Sequence, residues 1–203
     1  MIVLMSAFLL LSAFSCGGGN KANSTSEQSE ETAVNVPQFD ADSAYLYVKN
    51  QVDFGPRVPN TKEHVACGNY LAGQLEAFGA QVTNQYADLI AYDGTLLKAR
   101  NIIGSYKPES KKRIALFAHW DTRPWADNDP DEKNHNTPIL GANDGASGVG
   151  ALLEIARLVN QQQPELGIDI ILLDAEDYGA PQFYTGQHKE EFWCLGSQYW
   201  ARN

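Results

Sequence analysis

The spacing of hydrophobic and polar positions predicts a strand, a helix and a second strand in the second half of the chain. Residues 113–118 and 168–173 are short, mostly apolar runs, which are typical of buried strands. Between them, residues 147–162 place apolar side chains at helical spacing and so predict an amphipathic helix. A helix that connects two strands in this order makes the strands parallel. The pattern therefore indicates the α/β class.

Three further helices are predicted from the same kind of spacing. Residues 40–51 have apolar positions in helical phase, with Asp42 as the N-cap. Helical spacing resumes over residues 61–78, and Gly79 is well placed to end that helix because glycine tolerates the left-handed backbone found there. The last helix is predicted to begin near Gly196.

Two more strands and two long loops complete the predicted elements. Residues 80–86 and 97–106 predict strands, with Tyr92-Asp93-Gly94 as a turn between them. Residues 120–140 and 178–193 show no periodic pattern. Loops of this length are uncommon in a compact domain and often line a functional site.

Three acidic clusters lie at the ends of the predicted strand–helix–strand unit. His119-Trp120-Asp121 follows its first strand, and residues 174–177 (Asp-Ala-Glu-Asp) follow its second. Asp144 lies in the loop just before the connecting helix. Both strand ends and the helix start belong to the same edge of the sheet, where open α/β sheets bind their ligands. We therefore expect the three clusters to converge.

Converging acids have a chemical consequence. Carboxylates that are close together and partly buried repel one another, so they need protons or a cation. One histidine with several aspartates and glutamates is a ligand set for zinc or a related divalent ion. The alternative is that these residues are solvated loop acids and helix caps. Three clusters at one sheet edge favour the metal site, and with it a metal-dependent hydrolase or transferase.

Composition and charge limit the partners. The chain has 203 residues with 15 Lys and Arg against 25 Asp and Glu, a formal net charge of -10. This balance argues against nucleic acid or an anionic membrane surface as the partner. Cys67 and Cys194 allow a disulfide outside the cytoplasm, although two buried free thiols are the favoured interpretation.

The N-terminal segment predicts export. Residues 1–15 are almost wholly apolar or small and lead to Cys16, which three glycines follow. The run is too short to span a bilayer but suits a signal peptide, and Cys16 resembles the lipid-attachment cysteine of bacterial lipoproteins. We interpret residues 1–16 as signal and anchor, 17–36 as a flexible tether and 37–203 as the catalytic domain. Membrane contact would then be through the lipid alone, on a cell envelope protein facing the periplasm or exterior. Secretion without an anchor and a cytoplasmic location are the alternatives.

The acidic clusters resemble those of the zinc-dependent M28 family, which includes aminopeptidases and glutaminyl-peptide cyclotransferases. Supporting stretches are Phe54-Gly55-Pro56-Arg57, Asn101-Ile102-Ile103-Gly104 and Leu195-Gly196-Ser197. The resemblance keeps the family's order from about residue 40 to the end. It implies a three-layer α/β/α sandwich around a mixed, mostly parallel twisted sheet, incomplete at the C-terminus.

The resemblance also implies a role for each acid. Asp144 matches a metal ligand that bridges two zinc ions in the aminopeptidases and binds one in the cyclases. Asp177 stands where the family has a glutamate ligand, and Glu176 matches the general acid/base. His119 would be a ligand in a two-zinc peptidase or a site-lining residue in a one-zinc cyclase. Asp121 joins Glu176 in the catalytic set as the carboxylate that orients His119.

One part of the family pattern is absent from this sequence. The family takes a further acid and a last histidine ligand from a later region, so we expect the sequence to be truncated. His135 and His188 are interpreted as exposed loop residues rather than substitutes for that ligand. His64 is likewise interpreted as an exposed helix residue.

Two reactions remain open from the sequence. In a cyclase, the α-amine of an N-terminal glutamine attacks its own side-chain amide and gives pyroglutamate and ammonia. In an aminopeptidase, water releases the N-terminal residue. Both take peptides with a free N-terminus, and both use zinc and a carboxylate that moves protons. A third hypothesis is an inactive envelope lipoprotein that binds peptides.

The residues around the first and third clusters favour the cyclase. His119 to Pro124 resembles the form of this motif in bacterial cyclase-like members. Residues 178–193 form an aromatic insertion where aminopeptidases usually have a short connection. We predict that Trp120, Phe183 and Trp193 line the substrate pocket, although each aromatic side chain could instead simply pack its loop.

Overall fold

The computed structural model describes residues 35–203. Its helices are Ala41–Val52 (α1), Lys62–Ala77 (α2), Ala146–Gln161 (α3) and Leu195–Arg202 (α4). Its strands are Gln81–Ile90 (β1), Leu96–Tyr106 (β2), Arg113–His119 (β3) and Gly167–Leu173 (β4). Short 3-10 turns occur at Glu132–Asn134 and Glu190–Phe192, within the two long loops. The predicted signal peptide, Cys16 anchor and nearly all of the tether lie outside the described residues.

The four strands form one mixed sheet in the order β1-β2-β4-β3. β3 and β4 pair in parallel, from Arg113 opposite Gly167 to His119 opposite Leu173, so the strand–helix–strand prediction is confirmed. β2 pairs antiparallel with both β1 and β4. The α/β class and the mixed sheet are thus confirmed, but antiparallel pairings outnumber the parallel one among the described strands. The reason is that β1 and β2 form a hairpin, which reverses the chain direction.

Helices cover both faces of the sheet, as the three-layer prediction requires. α1, α2 and α3 enclose the main core on one face together with side chains of β2 and β4 such as Ile102 and Ile170. Alternate residues of each strand point the other way. There Leu97 and Ala99 pack near Leu195, at the start of α4. No helix in the described part of the chain is long and apolar enough to cross a bilayer.

β3 is less buried than its apolar sequence predicts. Ile114 is 48% exposed and Phe117 is 46% exposed. β3 is the last strand of the described sheet, so it has a neighbour on one side alone. On the α4 face, its Phe117 ring meets Trp200 edge-on at 5.0 Å between centroids. A short apolar run therefore identified the strand correctly but not its position in the sheet.

The helix ends follow capping chemistry. Asp40, and not the predicted Asp42, caps α1, because its carboxylate accepts from the backbone N–H groups of Asp42 and Ser43. Glu154, fully buried in α3, accepts from the backbone N–H of Asp40 and so joins α1 to α3. Gly79 follows α2 with φ +80, as predicted.

The two cysteines within the described range are both free thiols. Cys67 is buried in α2, and burial raises the pKa of its thiol to about 12. Cys194 is half-buried beside the candidate site. The prediction of free thiols is therefore confirmed for both cysteines, the prediction of burial holds for Cys67 alone, and the disulfide alternative is wrong for this structure.

Candidate active site

The parallel pairing of β3 and β4 brings the first and third clusters together. The pairing continues one residue past the strands, where the Trp120 N–H donates to the carbonyl of Leu173 at 3.0 Å. The chain on either side then turns into His119-Trp120-Asp121 and Asp174 to Asp177. The predicted convergence of these clusters thus follows from one register of strand pairing.

Trp120 belongs to the core and not to a substrate pocket, so its predicted role is wrong. Its side chain is fully buried, and its indole N–H donates to the carbonyl of Arg100 at 3.2 Å. Its ring stacks on that of His64, with centroids 4.4 Å apart. The indole ring thus contacts α2 and the middle of β2. The position of a tryptophan within a site motif does not reveal such contacts.

Asp121 connects the first cluster to the third. Its carboxylate is fully buried and accepts from the backbone N–H groups of Glu176 at 3.1 Å and Asp177 at 3.2 Å. The contact that was predicted, with Nδ1 of His119, spans 3.5 Å, which is too long for a good hydrogen bond. In this structure Asp121 therefore fixes the backbone of the predicted general acid/base more firmly than it orients His119.

His119 is surrounded by carboxylates. Its Nε2 lies 2.9 Å from Oδ1 of Asp144, and its Nδ1 lies 3.7 Å from Oε2 of Glu176. Burial lowers the pKa of His119, but the charges of Asp121, Glu176 and Asp144 outweigh it and raise the pKa to about 9. The first and second clusters are thus in direct contact, as predicted.

Asp144 is presented on a loop that glycine makes possible. Its side chain is 60% exposed, and it precedes Gly145, whose φ is +91. A Cβ atom on Gly145 would lie 2.8 Å from the carbonyl oxygen of Asp121. Any other residue would therefore separate the Asp144 loop from the end of β3.

Arg57 holds the backbone on both sides of this loop. Its guanidinium is fully buried and donates to the carbonyl oxygens of Trp120, Leu140 and Gly141 at 2.8 to 3.1 Å. Burial lowers the pKa of Arg57, while the nearby charges of Cys67 and Asp121 oppose this change. The sequence showed Arg57 as part of a supporting stretch, but its contacts with two loops appear only in the structure.

Asp177 is buried among like charges. Burial raises the pKa of its carboxyl to about 7; Arg123 opposes the rise, and the charges of Asp121, Glu176 and Asp144 add to it. Nη1 of Arg123 lies 3.3 Å from Oδ1 of Asp177. This is the behaviour expected of an acid in a site that carries excess negative charge.

Arg123 joins the two long loops and was missed as a site residue. Its guanidinium binds the carboxylate of Asp127 through Nε and Nη2, at 2.7 and 2.5 Å. It also lies over the rings of Trp125 and Trp193, at 5.6 and 4.9 Å from their centroids. The sequence signal was its place directly after the first cluster, but an arginine in a loop has many alternative partners.

A cavity of about 310 Å³ opens beside the acids. The side chains that line it are Arg123, Asp127, Asn128, Asp144, Asp177, Ala180, Gln182, His188 and Trp193. The predicted metal ligands Asp144 and Asp177 and the predicted pocket residue Trp193 thus share one wall. Phe183 is not among these residues; it is 44% exposed and stacks on His135, so its place in a substrate pocket stays a prediction. The loop 178–193 presents Trp193 to the cavity and turns Phe183 outward.

His64 is buried, contrary to the prediction for it. It is 3% exposed, and its Nε2 lies 2.9 and 2.8 Å from the two carboxylate oxygens of Asp174. Burial raises the pKa of Asp174, and the hydrogen bond and charge of His64 oppose that rise. Helical spacing placed His64 on α2 correctly but did not show that its side chain points inward, to Asp174.

Cys194 is a further neighbour of Glu176 that the sequence did not identify. Its Sγ lies 3.3 Å from Oε1 of Glu176, and its backbone N–H donates to the carbonyl of Glu176 at 2.9 Å. Burial, the hydrogen bond to Glu176 and the charges of Glu176, Asp121 and Asp177 raise the pKa of the thiol to about 11. The thiol therefore reports on the charge and position of Glu176.

The chemistry of these donors fits zinc. One imidazole and several carboxylates are ligands that zinc accepts. The charges of Asp121, Glu176 and Asp144, which raise the pKa of His119, are charges that a divalent cation would neutralise. Asp144 and Asp177 are the residues that would hold one ion, and His119 would join Asp144 if a second ion bound. Within residues 35–203, however, no three such side chains already close around one point.

We predict that Cys194 alkylates slowly at pH 8 and that Glu176→Gln makes it faster. At this pH about a thousandth of a thiol with a pKa near 11 is thiolate, the reactive form. The iodoacetamide rate should rise about tenfold per pH unit between pH 8 and 10, measured by mass spectrometry of the peptide that contains Cys194. Glu165→Gln, at an exposed position, should leave the rate unchanged. A wild-type rate equal to that of an ordinary thiol would contradict the prediction.

Comparison with protein families matches residues 101–203 to peptidase family M28, which is half of the chain. Among solved structures, the chain is 94% identical to Bacteroides thetaiotaomicron glutaminyl cyclase bound to N-acetylhistamine, with a TM-score of 0.83 over 83% of this chain and 58% of that one. It is equally identical, with the same TM-score, to a leucine aminopeptidase precursor from B. thetaiotaomicron VPI-5482, over 84% and 59% of the two chains. Tannerella forsythia glutaminyl cyclase is 58% identical, with a TM-score of 0.80 over 81% and 56%.

The chain spans less than two thirds of the length of each of these structures. Across the shared part, the mixed sheet and its helices match those of zinc-dependent exopeptidases and glutaminyl cyclases. Membership of the family implies zinc as the metal. Because the family model covers half of the sequence, this chain belongs to peptidase family M28.

Proposed function

We propose that this chain carries the central part of the active site of a zinc-dependent glutaminyl-peptide cyclotransferase. Such an enzyme converts the N-terminal glutamine of a peptide to pyroglutamate and releases ammonia. The observation that carries the proposal is the 94% identity to a glutaminyl cyclase over 83% of this chain. The convergence of His119, Asp144, Glu176 and Asp177 beside one cavity supports it.

The reaction requires a proton carrier next to the substrate amine. The α-amine nitrogen of the substrate forms a bond to its side-chain amide carbon, and the bond from that carbon to the amide nitrogen breaks. The carboxylate of Glu176 would take the proton that the amine loses and deliver it to the departing ammonia. When bound, zinc supplies Lewis acidity that polarises the amide carbonyl. No water enters this balance.

The surroundings of Glu176 suit this exchange. Its side chain is 31% exposed and adjoins Asp177, which lines the cavity, while its own backbone N–H is held by Asp121. The loop 178–193 places Trp193 in the cavity wall beside Arg123.

We further propose a single zinc ion, held by Asp144 and Asp177. These two carboxylates border the same cavity. Asp177 would bind the metal in place of its present contact with Arg123. The ligand set needs at least one donor beyond those that residues 35–203 bring together. His119 would line the site, with its Nε2 next to Asp144.

The aminopeptidase is the second candidate, and one observation favours it. A structure described as a leucine aminopeptidase precursor has the same 94% identity to this chain. In that reaction Glu176 would take a proton from the attacking water, and His119 would join Asp144 as a ligand of a second zinc ion. The contact of 2.9 Å between His119 and Asp144 is compatible with both assignments.

We predict that the full-length protein converts an N-terminal glutaminyl peptide to pyroglutamate and ammonia, and that Glu176→Gln lowers kcat by about 10²- to 10⁴-fold. The reason is that the amide of glutamine cannot accept the proton. Product is measured by mass spectrometry and ammonia by a coupled assay. Glu165→Gln is the matched control and should retain full activity.

A leucyl chromogenic substrate separates the other hypotheses in the same experiment. Release of leucine without pyroglutamate would establish the aminopeptidase instead. Binding of peptides with no product of either kind would favour the inactive peptide-binding lipoprotein. Full activity of Glu176→Gln would contradict the assigned proton carrier.

We predict that the purified full-length protein contains close to one zinc ion per chain and that Asp144→Asn loses it. An amide oxygen is a much weaker zinc ligand than a carboxylate. Metal content is measured by inductively coupled plasma mass spectrometry, with Asp42→Asn on the exposed surface of α1 as control. Two zinc ions per wild-type chain would count against the cyclase and support the aminopeptidase.

We also propose that the protein is an envelope lipoprotein attached through Cys16, a location supported by the sequence of residues 1–16 alone. In a bacterium grown with an alkyne fatty acid, the wild type should acquire the label and fractionate with membranes. Cys16→Ser should lose both properties because serine lacks the thiol that carries the lipid, a diacylglycerol joined through a thioether. Cys67→Ser is the control, and an unlabelled wild type would contradict the proposal.

A further inference from the structure

A buried pair of side chains lies behind the candidate site and has no part in the mechanism above. His64 and Asp174 are 4% and 0% exposed as side chains, and Nε2 of His64 lies 2.9 and 2.8 Å from the two carboxylate oxygens. Neither residue lines the cavity beside Asp144 and Asp177. Both are therefore placed to act on the site through other residues.

His64 contacts both segments that carry the site residues. Its ring stacks on Trp120, with an angle of 17° between the planes, and Trp120 separates His119 from Asp121. Its Nε2 binds Asp174, the first residue of the segment that ends in Glu176 and Asp177. One imidazole in α2 thus joins the end of β3 to the end of β4.

The Asp174 carboxylate is held at the start of the segment 174–177 by several hydrogen-bond donors. Besides His64, it accepts from the backbone N–H of Arg100 at 2.6 Å and from that of Ala175 at 2.7 Å. Ala175 has a left-handed backbone, with φ +49, which is unfavourable for a residue with a Cβ atom. Such a conformation persists only where the surrounding contacts hold it. The direction in which Glu176 and Asp177 leave the sheet depends on it.

We propose that His64 is a positioning residue that, through Asp174, holds Glu176 and Asp177 in the geometry needed for zinc binding and proton transfer. This inference rests on the proposed zinc-dependent function. Without His64, Asp174 keeps two backbone donors but loses its side-chain donor in a fully buried place. The segment then relaxes, and a displacement of about 1 Å at a reacting group can reduce the rate about 100-fold.

A merely structural role for His64 would give a different result. His64 also attaches α2 to the sheet, so its loss should lower the stability of the fold in any case. Leu75, fully buried in the same helix, supplies the matched control, because Leu75→Ala destabilises the fold without contact with Asp174. A positioning role predicts that zinc affinity and kcat fall in His64→Phe and His64→Asn but not in Leu75→Ala, compared at an equal loss of Tm.

The experiment compares four variants of the full-length protein with the wild type. His64→Phe keeps a ring against Trp120 but has no donor. His64→Gln offers an amide N–H at about the reach of Nε2, whereas His64→Asn is too short to reach Asp174. Leu75→Ala is the stability control. Zinc affinity is measured by competition with a chromogenic chelator, alongside Tm, kcat and KM.

We expect His64→Phe and His64→Asn to lose about 10- to 100-fold in zinc affinity, the usual effect of removing a partner behind the metal ligands. Their kcat should fall with little change in KM. His64→Gln should rescue both quantities, and Leu75→Ala should lower Tm alone. Should His64→Phe fail to fold, the comparison of His64→Gln with His64→Asn gives the answer.

Wild-type zinc affinity and kcat in His64→Phe and His64→Asn would overturn the inference. The inference would also be overturned if Leu75→Ala lost as much zinc affinity and kcat as these two variants at an equal fall in Tm. A wild type that binds no zinc would instead overturn the proposed function. The alkylation rate of Cys194, which contacts Glu176, then tests the inference without metal. The alkylation rate should be higher in His64→Phe and His64→Asn than in Leu75→Ala and His64→Gln. Unchanged rates would overturn the inference.

Discussion

The structure depends on the stabilisation of buried carboxylates at the end of β3 and β4. Asp121 and Asp174 are completely buried there, and Asp177 is nearly so. A buried carboxylate is tolerated only where hydrogen-bond donors or cations reach its oxygens. Asp121 accepts hydrogen bonds from backbone N–H groups of the third cluster. The imidazole of His64 contacts the carboxylate of Asp174, and the guanidinium of Arg123 contacts that of Asp177. Each acid therefore has a compensating partner from a different part of the chain.

These partners explain why segments remote from the acids belong to the site. Arg57 follows α1, His64 lies in α2, and Arg123 belongs to the long loop after β3. Together they fix the backbone of all three acidic clusters, by contacts with Trp120, Gly141 and Asp174 among others. The helices before the sheet thus contribute to the site as well as to the core. The proposed zinc ion would bind beside these acids, at Asp144 and Asp177, which both line the cavity.

Each element that was predicted correctly has a signal in its own stretch of sequence. Helical periodicity located α2 and α3 to within a residue or two, and Gly79 ended α2 where expected. The apolar runs located β3 and β4, and their connection through α3 required parallel pairing. From that pairing, together with the position of the loop before α3, the convergence of His119 with Asp144 and Glu176 followed. Order along the chain was sufficient because the crossover has one favoured geometry.

The sequence by itself determined the strand–helix–strand unit, the family and the set of converging acids, because these depend on periodicity and on order along the chain. Only the tertiary structure decided which side chains face inward. It buried Trp120 and His64, turned Phe183 outward, left β3 half-exposed, and paired Cys194 with Glu176. These outcomes depend on contacts between residues far apart in sequence. No local pattern encodes such contacts, since a histidine or tryptophan at a given helical or strand position has the same spacing whether its partner is solvent or a buried carboxylate.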